Sequence, residues 1–163
     1  YEGFLWSKEE VIVEIPQRIK GKLELFGAFV PEKEGVRYRT YKGRTSEEFI
    51  DFLRYLKNSY PEKEILMILD NRSIHKSRAV KRALEGMKGI ELRYLPINAP
   101  WLNPMEVIFS SLQRACIAGA KFGSIKELRG KIRDFFKRKN REGVRVNHQF
   151  WSKISSPVLA KCT

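Results

Sequence analysis

Glu64-Ile65-Leu66-Met67-Ile68-Leu69-Asp70-Asn71 is the stretch that decides the fold. Its apolar run is continuous and short, the pattern of a strand buried on both faces of a sheet. It ends on a carboxylate, and open α/β sheets bind their ligands at the carboxyl ends of strands. Further on, Leu95-Pro96-Ile97-Asn98-Ala99-Pro100-Trp101-Leu102-Asn103-Pro104-Met105-Glu106 is a proline-stiffened loop that brings a second carboxylate to the start of a helix. Asn103 is the natural cap of that helix, and Pro104 suits its first turn. A two-metal phosphodiester site needs such hard oxygen ligands, carried from distant parts of the chain onto one spot. Taken singly, each residue has a plainer explanation. Asp-Asn at a strand end is turn chemistry, Asn103-x-x-Glu106 is a helix-capping arrangement, and His75 could simply start a helix.

Upstream, residues 1–41 read as β-structure. Gly3-Phe4-Leu5-Trp6, Val11 to Ile15, Lys22 to Val30 and Val36 to Tyr41 are β-branched or alternating pieces separated by turns. Short turns between consecutive strands imply an antiparallel meander. Thr45 and Glu48 form a capping box before a helix whose Phe49, Phe52, Leu53 and Leu56 share one face, and Pro61 ends it. After Asp70 the spacing predicts a helix from about His75 to Met87, with Val80, Ala83, Leu84 and Met87 inward. A short strand over Ile90–Leu95 follows. The capped helix from Pro104 extends to about Ala118. A last long helix opens with a Ser124/Glu127 capping box and buries Ile125, Leu128, Ile132, Phe135 and Phe136. A meander followed by alternating α and β predicts an α/β fold, a mixed sheet flanked by helices. The expectation is a single domain over residues 1–163 with a basic helix near its end.

The 163 residues are 42 % hydrophobic and 12 % aromatic, enough for a folded core. Their 32 Lys and Arg against 19 Asp and Glu give a formal charge of +13. That surplus on one small domain points to a polyanion, most often nucleic acid. Lys76, Arg78, Lys81 and Arg82 lie on the outer face of the second predicted helix. Residues 121–145, which include Lys131 and Arg138, carry ten basic residues against three acids. Both groups are expected to contact phosphates without reading sequence. Cys116 and Cys162 have no metal-binding spacing, so a disulfide scaffold is not expected and a reducing setting fits. No apolar run approaches the roughly 18 residues of a membrane span. The chain opens at Tyr1 without a methionine or signal pattern, and so reads as the inside of a longer protein.

Together, Asp70-Asn71-Arg72-Ser73-Ile74-His75-Lys76-Ser77 and the segment from Leu95 to Glu106 resemble the catalytic core of the DDE-type transposases. The mariner group and its bacterial and archaeal insertion-sequence relatives are the nearest pattern. Phe26-Gly27-Ala28, Phe49 to Leu53 and Asn147 to Trp151 also look like family positions. The resemblance implies a ribonuclease-H-like fold. It also implies Mg2+ (or Mn2+) held by Asp70 and Glu106 as catalytic ligands, with Asn71, His75 and Asn103 supporting them or positioning substrate. The implied partners are transposon-end and target DNA and a second copy of the chain, in the cytoplasm of a prokaryote at its nucleoid. The family's first Asp lies on the first strand, whereas this chain opens Tyr1-Glu2-Gly3-Phe4. That Asp is expected just before Tyr1, or Tyr1 stands in its place. Glu2 is a weak substitute, and Asp51 falls in mid-helix. The family's N-terminal helix-turn-helix domain is absent from the sequence. The expected function is a transposase catalytic domain that cleaves DNA strands and transfers them. The alternatives are a remnant that holds DNA without cutting it, or another ribonuclease-H-like nuclease.

Overall fold

The computed structural model describes residues 4–9, 22–31, 35–97 and 102–144. The expected strand over Val11–Ile15, loop residues 98–101 and the Asn147–Trp151 motif lie outside them. Five strands form one sheet: β1 (Phe4–Glu9), β2 (Glu24–Val30), β3 (Gly35–Tyr41), β4 (Ile65–Leu69) and β5 (Ile90–Tyr94). Their spatial order is β3-β2-β1-β4-β5. The β1–β2 and β2–β3 pairs are antiparallel, whereas β1–β4 and β4–β5 are parallel. The sheet is therefore the predicted meander extended by two parallel strands, with α1 (Ser46–Ser59) and α2 (Arg78–Glu85) in the crossovers.

Strand alternation sorts the core into two layers. On β2, Phe26, Ala28 and Val30 join Ile65, Met67 and Leu69 of β4 beneath Phe49, Phe52, Leu53 and Leu56 of α1 and Val80 of α2. Leu25 and Phe29 of β2 and Ile68 of β4 point the other way. They meet α3 (Pro104–Leu112) and α4 (Ile125–Glu142) through Met105, Ile108, Phe109, Leu112, Leu128, Ile132, Phe135 and Phe136. All five β4 side chains are buried, as the unbroken apolar run requires. None of the described helices is long and apolar enough to cross a membrane.

Local chemistry starts the helices. At α1 the capping box is complete: Thr45 Oγ1 accepts from the Glu48 amide, and the Glu48 carboxylate accepts from the Thr45 amide at 2.7 Å. Three other elements differ from the expectations. The helix foreseen from His75 starts later, at Arg78. Ser73–Lys76 form a separate 3-10 turn, and Ser77 caps α2 by accepting from the Val80 amide at 3.2 Å. The helix from Pro104 passes into a π-helical turn over Gln113–Ile117, so its extent holds but its last part is wider. At α4, Ser124 Oγ accepts from Glu127 as expected, but the Glu127 carboxylate returns to the amide of Gly123 rather than Ser124.

Two contacts fix the second helical layer. A Cβ built on Gly27 would stand 2.7 Å from Met105 Cε and 2.9 Å from Phe109 Cζ. Glycine at this point of β2 is what lets α3 lie so close to the sheet. At the far end of α4, the Asn140 amide bonds Val36 of edge strand β3 twice. Its Oδ1 accepts from the Val36 amide at 2.7 Å, and its Nδ2 donates to the Val36 carbonyl at 3.0 Å.

Candidate active site

Asp70 follows β4 directly, and its carboxylate is held from both sides. Oδ2 accepts from Arg72 Nε at 3.2 Å, and Oδ1 accepts from the Arg72 backbone amide at 3.3 Å. His75 Nε2 lies 3.3 Å from Oδ1. The His75 ring is 1 % exposed and packs edge-on against Phe49 of α1, with centroids 4.4 Å apart. Burial lowers the His75 pKa below its ordinary value, and the Asp70 carboxylate opposes that only in part. The imidazole is therefore neutral at neutral pH, with Nε2 carrying the proton it donates. Burial alone would raise the Asp70 pKa. The hydrogen bond from His75 and the charge the imidazole takes on in acid, then the amide and charge of Arg72, bring it below the usual carboxylate value. Asp70 is thus ionised near neutrality.

The 3-10 turn that carries His75 is clamped by its neighbours. Ser46 Oγ, at the start of α1, donates to the Ile74 carbonyl at 3.3 Å. Tyr94, the last residue of β5, donates its hydroxyl to the His75 carbonyl at 3.0 Å. Asn71 Nδ2 donates to the Leu95 carbonyl, and Lys76 Nζ donates to Asn71 Oδ1. Four predicted residues, Asp70, Asn71, His75 and Lys76, therefore come together in one network.

Glu106 arrives from the other helical layer. It is the third residue of α3, half-buried, where the positive end of the helix favours a carboxylate. Asn103 is buried and acts as the cap, its Oδ1 accepting from the Met105 amide at 3.0 Å. Its carbonyl accepts from the Glu106 amide, also at 3.0 Å. Asn103 thus fixes the helix start. Met105 seats this turn on Gly27, and Gly27 pairs with Lys8 of β1. The parallel register of β1 on β4 pairs Ser7 with Leu69, so Lys8 is the β1 residue level with Asp70. The chain of contacts runs from α3 through β2 and β1 to the end of β4.

The first carboxylate expected before Tyr1, with Tyr1 and Glu2 themselves, lies outside the described residues. Asp51, already judged badly placed, is engaged elsewhere by Arg39 and Tyr41, both at 2.7 Å. Among the described residues, no three Asp, Glu, His or Cys side chains converge as a metal-binding group. The donor chemistry of Asp70 and Glu106 still fits magnesium or manganese, because such an ion takes one or two carboxylates and completes its shell with water and substrate oxygens.

Lys76, Arg78, Lys81 and Arg82 are exposed on the turn and on α2, and Lys131 and Arg138 are exposed on α4. These two helices cover opposite faces of the sheet. The predicted basic residues therefore form two separate surfaces rather than one. Sequence reasoning gave no structural role to three residues here: Arg72 on Asp70, Gly27 under Met105, and Tyr94 at the end of β5. A tyrosine on a strand stopped by proline was the one available signal for Tyr94. The exposed large hydrophobic side chains among the described residues, Tyr94, Ile97 and Val107, all fall between the end of β5 and the first turn of α3.

Residues 6–129 match the family described as DDE superfamily endonuclease. An insertion element IS630 uncharacterized 39 kDa protein of Shigella sonnei is 32 % identical over 93 residues, which is 56 % of this chain. The aligned part spans only 27 % of that relative's length. The catalytic domain of Mos1 mariner transposase superposes with a TM-score of 0.64 at 22 % identity, covering 82 % of this chain and 69 % of that one. A Mos1 mariner paired end complex with Mn gives a TM-score of 0.65 at 21 % identity, covering 85 % and 49 %. At such identities the structures speak to fold, which is the ribonuclease-H-like α/β architecture. With this family pattern matched over most of its length, the chain belongs to the DDE superfamily endonucleases.

Proposed function

We propose that residues 1–163 are the catalytic domain of a transposase that cleaves DNA strands and joins a freed 3′-hydroxyl to target DNA. The observation that carries this is the Asp70 carboxylate, ionised and oriented by His75 and Arg72 at the end of a buried strand. Asp70 and Glu106 are the groups that would hold Mg2+ or Mn2+. When bound, such an ion stabilises charge on the attacking and leaving oxygens of an in-line displacement at phosphorus. The chain's own residues do the rest. His75 donates to Asp70 and keeps one carboxylate oxygen fixed, Asn71 ties the strand end to β5, and Asn103 sets the first turn that carries Glu106. The exposed cations of α2 and α4 supply sequence-independent attraction for transposon-end and target DNA. As a transposase the chain would work as a homodimer, in the cytoplasm at the nucleoid.

Plasmid nicking by the 163-residue chain in Mg2+ or Mn2+ tests this proposal. The parent is expected to nick, with activity abolished by chelator. Asp70→Ala and Glu106→Ala should each lose about a thousandfold or more, the several kcal/mol of charge stabilisation that depends on an ion's ligands. If either variant nicks like the parent, that residue is not a ligand. A parent that binds DNA without ever nicking would reduce the chain to a DNA-holding domain.

A further inference from the structure

Tyr94 stands level with Leu69 in the β4–β5 register, one residue before Asp70, and it is 38 % exposed. Its hydroxyl bonds the His75 carbonyl at 3.0 Å, and its ring lies under the Lys76 ammonium, 4.8 Å from Nζ to the ring centroid. Lys76 Nζ also donates to Asn71 Oδ1, and the same Asn71 side chain is tied to the Leu95 carbonyl. A surface lysine ordinarily samples many rotamers, and ordering it on a ligand costs entropy. Here a ring face and an amide oxygen fix the ammonium in advance. An ammonium has three N–H donors, so it keeps donor capacity for an anion.

We propose that Tyr94 is a positioning residue which, with Asn71, fixes the Lys76 ammonium at the strand end that carries Asp70, as a binding point for a backbone phosphate of the substrate strand. This assignment rests on the reading of Asp70 as the catalytic centre. The cation is held on Asn71, the residue after the carboxylate that a phosphodiester must approach, so a phosphate bound there meets a positive charge on the same strand end. Lys76 is thereby set apart from Arg78, Lys81 and Arg82, which are exposed on α2. Ring and lysine act as one unit: the ring holds the ammonium, and the ammonium holds the phosphate.

The test is binding of the 163-residue chain to a short DNA duplex in chelator, where no cutting occurs, at several salt concentrations. Lys76→Gln should weaken binding about three- to tenfold and reduce the slope of log affinity against log salt by about one. Tyr94→Leu should weaken binding by about two- to fivefold through loss of the cation–π contact. The double variant should be no weaker than Lys76→Gln alone. Tyr94→Phe keeps the ring and should bind within about twofold of the parent. A resonance of the Lys76 side chain, shifted by the ring current in the parent, should move to its ordinary position in Tyr94→Leu and stay shifted in Tyr94→Phe. Additive losses in the double variant would overturn the proposal, as would a Lys76→Gln slope equal to the parent's. A Tyr94→Leu variant that binds like the parent would overturn it too. None of these outcomes depends on nicking, so a parent that fails to nick would defeat the transposase reading and leave this binding result standing.

Discussion

The two carboxylates proposed as metal ligands are held by different means. Asp70 is fixed by its own neighbours in sequence: the strand that ends on it, Arg72 two residues on, and His75 within the next turn. Glu106 owes its place to residues far away, because the turn that carries it rests on Gly27 of β2 through Met105. The Asp70 half is assembled from β4, the following turn and α1 alone. The Glu106 half needs closure of a long loop and the β2 strand beneath it. A substitution distant in sequence can therefore move Glu106, whereas Asp70 is reached mainly through its immediate surroundings and the helix above them.

The largest expected effect tests the Asp70 half. Phe49→Ala removes a fully buried ring that packs on Phe26 and on His75. It should cost about 3–5 kcal/mol in urea unfolding. A loss below about 1 kcal/mol would mean that α1 does not anchor the turn. Next comes Gly27→Ala, which tests the remote hold on Glu106. Overpacking against Met105 and Phe109 should cost about 1–3 kcal/mol. Trimming the neighbour with Met105→Ala in the same chain should give a non-additive cycle with Gly27→Ala. Additive energies would show that Gly27 does not set the seat of α3. The smallest effect concerns a charge outside both halves. Hydrogen bonding from Tyr41, then from Arg39, holds the Asp51 pKa below its ordinary 3.8 despite some opposing desolvation. A folded value below the unfolded one contributes stability that is complete above about pH 4 and is lost as pH falls through the folded value. Asp51→Asn should therefore flatten the loss of stability as pH falls below about 4, by less than about 1 kcal/mol because the pair is open to solvent. An unchanged pH profile would assign no coupling to this pair.

The same division explains what the sequence disclosed. Thr45 with Glu48, the β4 run, and Asn103-Pro104 are local signals, and each produced the element it announced. The start of α2 was misplaced because the polar Ser73–Lys76 segment fits a helix as well as a 3-10 turn, and only Ser77 offers the cap that separates them. Half of the α4 capping box went elsewhere because Gly123 presents its amide to the same carboxylate. Gly27 looked like part of a family pattern, but its physical purpose is visible only once Met105 is above it. The place beside Asp70 on β1 depends on strand register, which no local pattern encodes. Tyr94 was passed over because a strand-end aromatic gives no hint of a lysine brought to it from the far end of the preceding crossover.

Asn140 has a consequence for the basic surface of α4. Apolar packing alone resists sliding of a helix more than it resists turning about its own axis. The paired bonds from the Asn140 amide to Val36 are directional, and they lock that rotation. One residue of slippage turns an α-helix by about 100°, enough to swing the outward row that includes Lys131 and Arg138 toward the sheet. A single amide thus sets the compass bearing of the helix's charge.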